Sequence, residues 1–270
     1  MVPLSLAHLT VLDVAPPALF DLAAQAGYQQ VGIRILPAVP GAIAYPLDRT
    51  SVVAWRRALA DAGVGVHDVE LLPLTPSVQV GDYADTLALA AELGARRLNV
   101  TGDDADIVRL AGHFAALCEL AAPLGLGIDL EFMRFRLVGS LTLALDVVAH
   151  AAQPNGRVLV DLLHLCRSGG TADQLRRAPV ERLGSVQLCD APLRGPDDDA
   201  GLAAEAREGR LFPSEGGLPL QSLMDALPRD IAIGVEVPTG TTHPRLTAAS
   251  RAARACAASR ALLQQWRPCR

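Results

Sequence analysis

Four apolar runs in the second half of the chain each close on an oxygen-bearing side chain: GIDLE on Glu131, VLVD on Asp161, SVQ on Gln187 and IAIGVE on Glu236. If these ends meet, three carboxylates and an amide share one small space, and their charges repel unless a cation joins them. Oxygen donors suit a hard or borderline ion, Mn2+ or Mg2+, better than zinc. One such divalent ion beside a carbonyl lowers the cost of removing the neighbouring proton, and a carboxylate within reach removes it. Returning the proton to the adjacent carbon isomerises, returning it to the opposite face epimerises, and expelling a β-hydroxyl dehydrates. The expected substrate is a small polyhydroxylated carbonyl compound.

Other residues join this set by position. His164 follows Asp161 by three, so in a regular strand it would face the other way. It is expected where the strand has ended and the chain turns back over the pocket, as a substrate contact. Arg34, near the end of the second strand, and Arg210, in a loop after the seventh, could hold a carboxylate or hydroxyls through a bidentate guanidinium. Glu70 is a further candidate on the third strand.

Something must bring these residues together. Ala- and Leu-rich helical stretches end at Gly27, Gly63, Gly94 and Gly125, each followed within a few residues by an apolar strand; glycine suits the left-handed conformation that ends a helix. Between 104 and 124, Ile107, Leu110, Phe114, Leu117 and Ala121 recur at spacings of three and four and mark one buried helix face. Thr171 and Gln174 form a capping box. Strands are expected at 4–12, 30–36, 64–73, 96–101, 127–133, 158–163, 184–189 and 231–237, with a last helix at 244–266. All-apolar strands alternating with helices imply parallel pairing covered on both faces. Eight such units make a single (β/α)8 barrel, a TIM barrel over 1–270, with its site at the C-terminal strand ends. Strand alternation then turns Leu159, Ser185 and Gly234 inward with the polar ends. Asp129 shares that parity with Glu131 and puts a carboxylate in the barrel, for which the sequence offers no account.

Composition narrows the function. The net charge of −5 and the absence of a basic block argue against nucleic acid. All 24 basic residues are arginine, which excludes Schiff-base chemistry and P-loop kinases, since both need lysine. The five cysteines, Cys118, Cys166, Cys189, Cys256 and Cys269, form no C-x-x-C pair, so a reducing cytoplasm is expected. No signal peptide or membrane span is expected, and a homo-oligomer is compatible with the chain.

The order of Glu131, Asp161-x-x-His164, VQLCDAP with Gln187 and Asp190, the loop GRLFPSEGGLPL and Glu236 in VEVP resembles the xylose-isomerase-like TIM-barrel family, the sugar phosphate isomerase/epimerase group. The resemblance implies that Glu131 and Glu236 bind the metal and move protons, and that His164 and Arg210 contact substrate. It implies first an isomerase or epimerase. Three departures bear on this: Gln187 stands where ketose epimerases usually have His, Leu137 where they place a substrate-binding Glu, and Ser214 where the P-G-E-G loop has Gly. A Gln ligand resembles the dehydratases of dehydroshikimate or inosose, which makes dehydration the competing activity. An abasic-site endonuclease and a non-catalytic barrel subunit are compatible with the same fold; Gln187 and the acidic balance oppose the endonuclease.

Overall fold

In the computed structural model, which describes residues 2–267, eight parallel strands close into a barrel in chain order. The strands are β1 (Leu4–Leu6), β2 (Gln30–Arg34), β3 (Gly65–Leu74), β4 (Arg97–Gly102), β5 (Gly127–Glu131), β6 (Gly156–Asp161), β7 (Leu183–Leu188) and β8 (Ala232–Val235). The helices are α1 (Pro16–Ala26), α2 (Arg49–Ala62), α3 (Ala84–Leu93), α4 (Ile107–Ala121), α5 (Leu141–Ala151), α6 (Leu162–Arg167), α7 (Ala172–Arg177), α8 (Asp199–Glu208), α9 (Leu220–Asp225) and α10 (Ala248–Leu263). Each expected strand is present. Gly27, Gly63, Gly94 and Gly125 all take the left-handed conformation at a helix end, and Thr171 and Gln174 form the capping box.

Three expectations are corrected. The first strand stops at Leu6, and His8–Val11 curls into a 3-10 turn. There Thr10 leaves the ladder: its hydroxyl donates to the Val235 carbonyl at 3.1 Å and accepts from the Val237 N–H at 3.0 Å. His164 lies in the short helix α6 rather than in a turn, because Asp161 caps that helix and accepts from the Leu163 and His164 N–H groups at 2.7 and 3.1 Å. The last helix spans 248–263 rather than 244–266. The segment Ile107–Leu124 is long and apolar enough to cross a membrane by composition. Here it covers the barrel and buries Leu110, Phe114, Leu117 and Ala121. Cys118, Cys166, Cys189 and Cys256 are free thiols, and Cys269 lies outside the described residues.

The barrel floor departs from the usual layers of bulky aliphatic side chains. Asp129, fully buried, pairs bidentately with Arg97 of the neighbouring strand and accepts from Ser185 Oγ at 2.9 Å. Two glycines make room. A Cβ on Gly184 would sit 2.1 Å from Asp129 Oδ1, and one on Gly127 would sit 2.5 Å from an Arg97 nitrogen. The register between β2 and β3 slips after Val31, which opposes Val66 while Gly32 opposes Asp68. His67 is the extra residue of this bulge, so His67 and Asp68 both line a small internal cavity with Asn99.

Burial lowers the His67 pKa to about 4 from 6.5, so the ring is neutral in the fold and charges on unfolding in mild acid. A lowered folded pKa means that the unfolded chain binds more protons between pH 6.5 and 4. Stability is therefore present above that window and falls as pH drops through it, by up to ~3 kcal/mol from this residue. The variant His67→Gln is expected to flatten part of the slope of unfolding free energy, read by urea titration from pH 7 to pH 4. The residual slope collects the other shifted groups, among them His164, shifted the same way, and Glu236, whose carboxyl is pushed up to about 8 by burial and which acts with the opposite sign.

Candidate functional site

Glu131 and Asp161 end their strands, Gln187 sits one residue before the end of β7, and Glu236 follows β8 directly. All four are buried at the same mouth, as are Arg34, Glu70, His164 and Arg210. The larger pocket there, of about 310 Å3, is lined by Glu131, Glu236, His164, Arg34, Glu70 and Arg210 among others. The structure thus brings together every residue selected from the sequence, although Gln187 contributes to the small cavity below rather than to the pocket wall.

Their partners differ from the simple picture of four free ligands. The guanidinium of Arg210, 1% exposed, spans Asp161 Oδ2 and Glu236, with Nη2 2.8 Å from Glu236 Oε2. Gln187 Nε2 donates to the other Glu236 oxygen, Oε1, at 3.1 Å. Both Glu236 oxygens are therefore engaged. Arg34 Nε lies 3.3 Å from Glu70 Oε1. Glu131 is the exception: among the described residues its side chain accepts no hydrogen bond, and its one partner at ion-pair distance is His164 Nε2, 3.9 Å from Oε1. Desolvation, and then the charges of Glu236 and Asp161, raise the pKa of Glu131 well above the usual carboxylate range. Burial lowers that of His164 to about 4, so its imidazole is neutral at pH 7. Phe135 meets the His164 ring edge to face, with centroids 5.7 Å apart, and fixes its orientation.

The donor set fits a divalent cation. Four carboxylates, Glu70, Glu131, Asp161 and Glu236, crowd this mouth, while among the described residues only the guanidiniums of Arg34 and Arg210 pair with them, so the acidic groups outnumber the cations they contact. Ligand atoms of Glu131, Asp161 and His164 lie within 4.8 Å of one another. Gln187 Oε1 is buried without a hydrogen-bond partner, an acceptor that a cation would satisfy. The grouping of His164 with the ligands is not visible from strand alternation; the signal in the sequence is its place in the first turn after the Asp161 cap.

Asp190 organises the loop beyond β7, a role that its place in the VQLCDAP motif does not by itself reveal. Its backbone exchanges hydrogen bonds with Leu211 at 2.9 and 2.8 Å, beside Arg210. Its carboxylate accepts from the N–H groups of Ala191, Ser214, Gly216 and Leu218 at 2.8 to 3.1 Å. Ser214 holds φ +73° there, a conformation that favours glycine. Leu137 is 54% exposed and does not line the pocket, so no side chain replaces the epimerase glutamate at this point.

Comparison with known proteins agrees with the barrel fold. A 3-dehydroshikimate dehydratase of Pseudomonas aeruginosa strain PAO1 is 32% identical over 116 residues, 43% of this chain and 18% of that protein. Among solved structures, a xylose isomerase-like TIM barrel/4-hydroxyphenylpyruvate dioxygenase fusion protein superposes with a TM-score of 0.81 at 20% identity, over 98% of this chain and 43% of that one. The IOLI protein, solved with a bound zinc atom, superposes with a TM-score of 0.80 at 18% identity, over 98% and 99% of the two chains. This chain thus spans less than half the length of the dehydratase and of the fusion protein. The model of the xylose isomerase-like TIM barrel matches residues 20–260, which span β2 to β8. The chain belongs to the xylose isomerase-like TIM-barrel family.

Proposed function

We propose that this protein is a divalent-metal-dependent dehydratase acting on a cyclic α,β-dihydroxy ketone of the 3-dehydroshikimate class. The observation that carries this reading is the supply of proton acceptors. Epimerisation, part of the first expectation from the sequence, returns the proton to the opposite face and so uses a proton-transfer group on each side of one enediolate. Here Glu236 is held on both oxygens by Arg210 and Gln187, and an amide cannot shuttle a proton. Among the described residues the Glu131 side chain accepts no hydrogen bond and pairs with no guanidinium, whereas Glu70, another carboxylate of the pocket, is paired with Arg34. Elimination of water can proceed with one free carboxylate. Glu131 takes the proton from the carbon between ketone and leaving hydroxyl, the C–O bond of the β-hydroxyl breaks, and protonated Glu131 returns that proton to the departing oxygen as water. His164 Nε2–H, neutral and oriented by Phe135, donates a hydrogen bond to the substrate oxygens as charge develops on them.

One ion of the Mn2+ or Mg2+ type would be held by Glu131, Asp161, Gln187 and Glu236, with His164 beside them. Its contribution when bound is Lewis-acid polarisation of the ketone oxygen. The variant Asp161→Asn keeps the helix cap acceptor and the shape but removes one charge. It is expected to bring bound metal, measured by elemental analysis of the purified protein, from one equivalent to less than about a tenth. The melting temperature should report a folded barrel.

The reaction is tested by incubating the holoenzyme with 3-dehydroshikimate and reading product mass. Loss of one water, with the absorbance of an aromatic diol, supports dehydration. Unchanged mass with solvent deuterium incorporated from D2O would favour isomerisation or epimerisation instead.

A further inference from the structure

Four arginines line the pocket: Arg34, Arg136, Arg207 and Arg210. Three of them are committed within the fold. Arg34 pairs with Glu70, Arg210 with Asp161 and Glu236, and Arg136 Nη1 with Asp103 Oδ2 at 2.7 Å. Arg207, in the last turn of α8, is exposed, and among the described residues no acidic side chain lies within ion-pair distance of it. Its neighbour Glu208 leans its stem over Gly240. The same pocket has an apolar lip made by Leu9 and Leu12 and by Val39 and Ile43 of the loop between β2 and α2. Val39 and Ile43 are 46% and 53% exposed.

These observations describe a ligand with three different parts. Its oxygenated end meets Glu131 and His164. Its body meets aliphatic side chains, on which the hydroxyls of an open-chain ketose would lose water without gaining partners. A guanidinium free of internal partners lines the same pocket, and a carboxylate there would complete it with charge-assisted hydrogen bonds. We infer that Arg207 reads a carboxylate on the substrate, so that the site selects an acidic, unsaturated ring ketone over a neutral ketose. The inference rests on the dehydratase reading for the ring chemistry, while the role of Arg207 is tested by binding alone.

The experiment measures, by calorimetry on the holoenzyme, binding of 3,4-dihydroxybenzoate and of catechol, which share the ring diol and differ by the carboxylate. The wild-type protein is expected to prefer 3,4-dihydroxybenzoate by about tenfold, the scale of one charge-assisted hydrogen bond near solvent. In Arg207→Gln the preference should fall to within about twofold with catechol affinity unchanged, and Arg207→Lys should recover part of it. The preference should also shrink as salt rises. Equal affinities in the wild type, a preference that survives Arg207→Gln, or no binding of either compound would overturn the inference. D-fructose and D-fructose 6-phosphate form the second pair. A gain from phosphate without a gain from carboxylate would overturn the carboxylate assignment in favour of a phosphorylated substrate. Because no turnover is read, failure of dehydration on 3-dehydroshikimate leaves this result interpretable, and the converse also holds.

Discussion

Replacing Glu131 with Gln is expected to lower kcat on 3-dehydroshikimate by about 1,000-fold while leaving the protein as stable as before or more so. The loss in rate is that of a general base. The stability follows from the environment: Glu131 is buried beside Glu236 and Asp161, and its elevated proton affinity records its desolvation first and their repulsion second. An isosteric amide removes that repulsion and keeps an oxygen donor in place. Steady-state kinetics together with a thermal melt separate the two effects. A variant that unfolds earlier yet turns over normally would assign Glu131 to structure. The same substitution at Glu236 should behave differently, since its carboxylate oxygens hold Arg210 and Gln187 and an amide cannot accept both donors equally well.

The second large effect is expected in the barrel floor. Arg97→Ala leaves Asp129 fully buried with only Ser185 Oγ as a side-chain donor. Removing one partner of a buried ion pair costs about 3–5 kcal/mol, because the remaining charge has no water to turn to. For a chain of this size that corresponds to a fall in melting temperature of about 10 °C. The double variant Arg97→Met with Asp129→Asn should lose less than the sum of the two single changes, since no unpaired charge is left. Denaturant titration of the four proteins gives the coupling directly.

These two sites illustrate what the sequence discloses and what it does not. Glu131, Asp161, Gln187 and Glu236 are legible because each interrupts an apolar run at its end, and because parallel strands in a barrel expose those ends on one face. The helix stops at Gly27, Gly63, Gly94 and Gly125 are legible for a local reason, the backbone conformation that follows a helix. Asp129 also interrupts an apolar run, but its partner Arg97 lies 32 residues away on the adjacent strand. Only the strand register, Arg97 opposite Gly127 and Asn99 opposite Asp129, brings the two within reach. The first strand ends earlier than its composition suggests for a related reason. Apolar and β-branched residues continue past Leu6, but hydrogen bonds from Thr10 to the end of β8 fold that segment over the barrel. The placement of Arg210 on Asp161 and Glu236 is likewise non-local, as it depends on how the loop after β7 is anchored.

That anchoring has a kinetic side. Asp190 ties its own strand end, Leu211 and the N–H groups of Ser214, Gly216 and Leu218 to one residue, so all three amides depend on the position of a single side chain. Loop amides usually exchange with solvent far faster than those of core strands. Here the N–H groups of Ser214, Gly216 and Leu218 should exchange as one cooperative group, slowly and together. Asp190→Asn, which weakens the acceptor without removing it, should release them together, and the clamp of Arg210 on Asp161 and Glu236 would loosen on the same timescale.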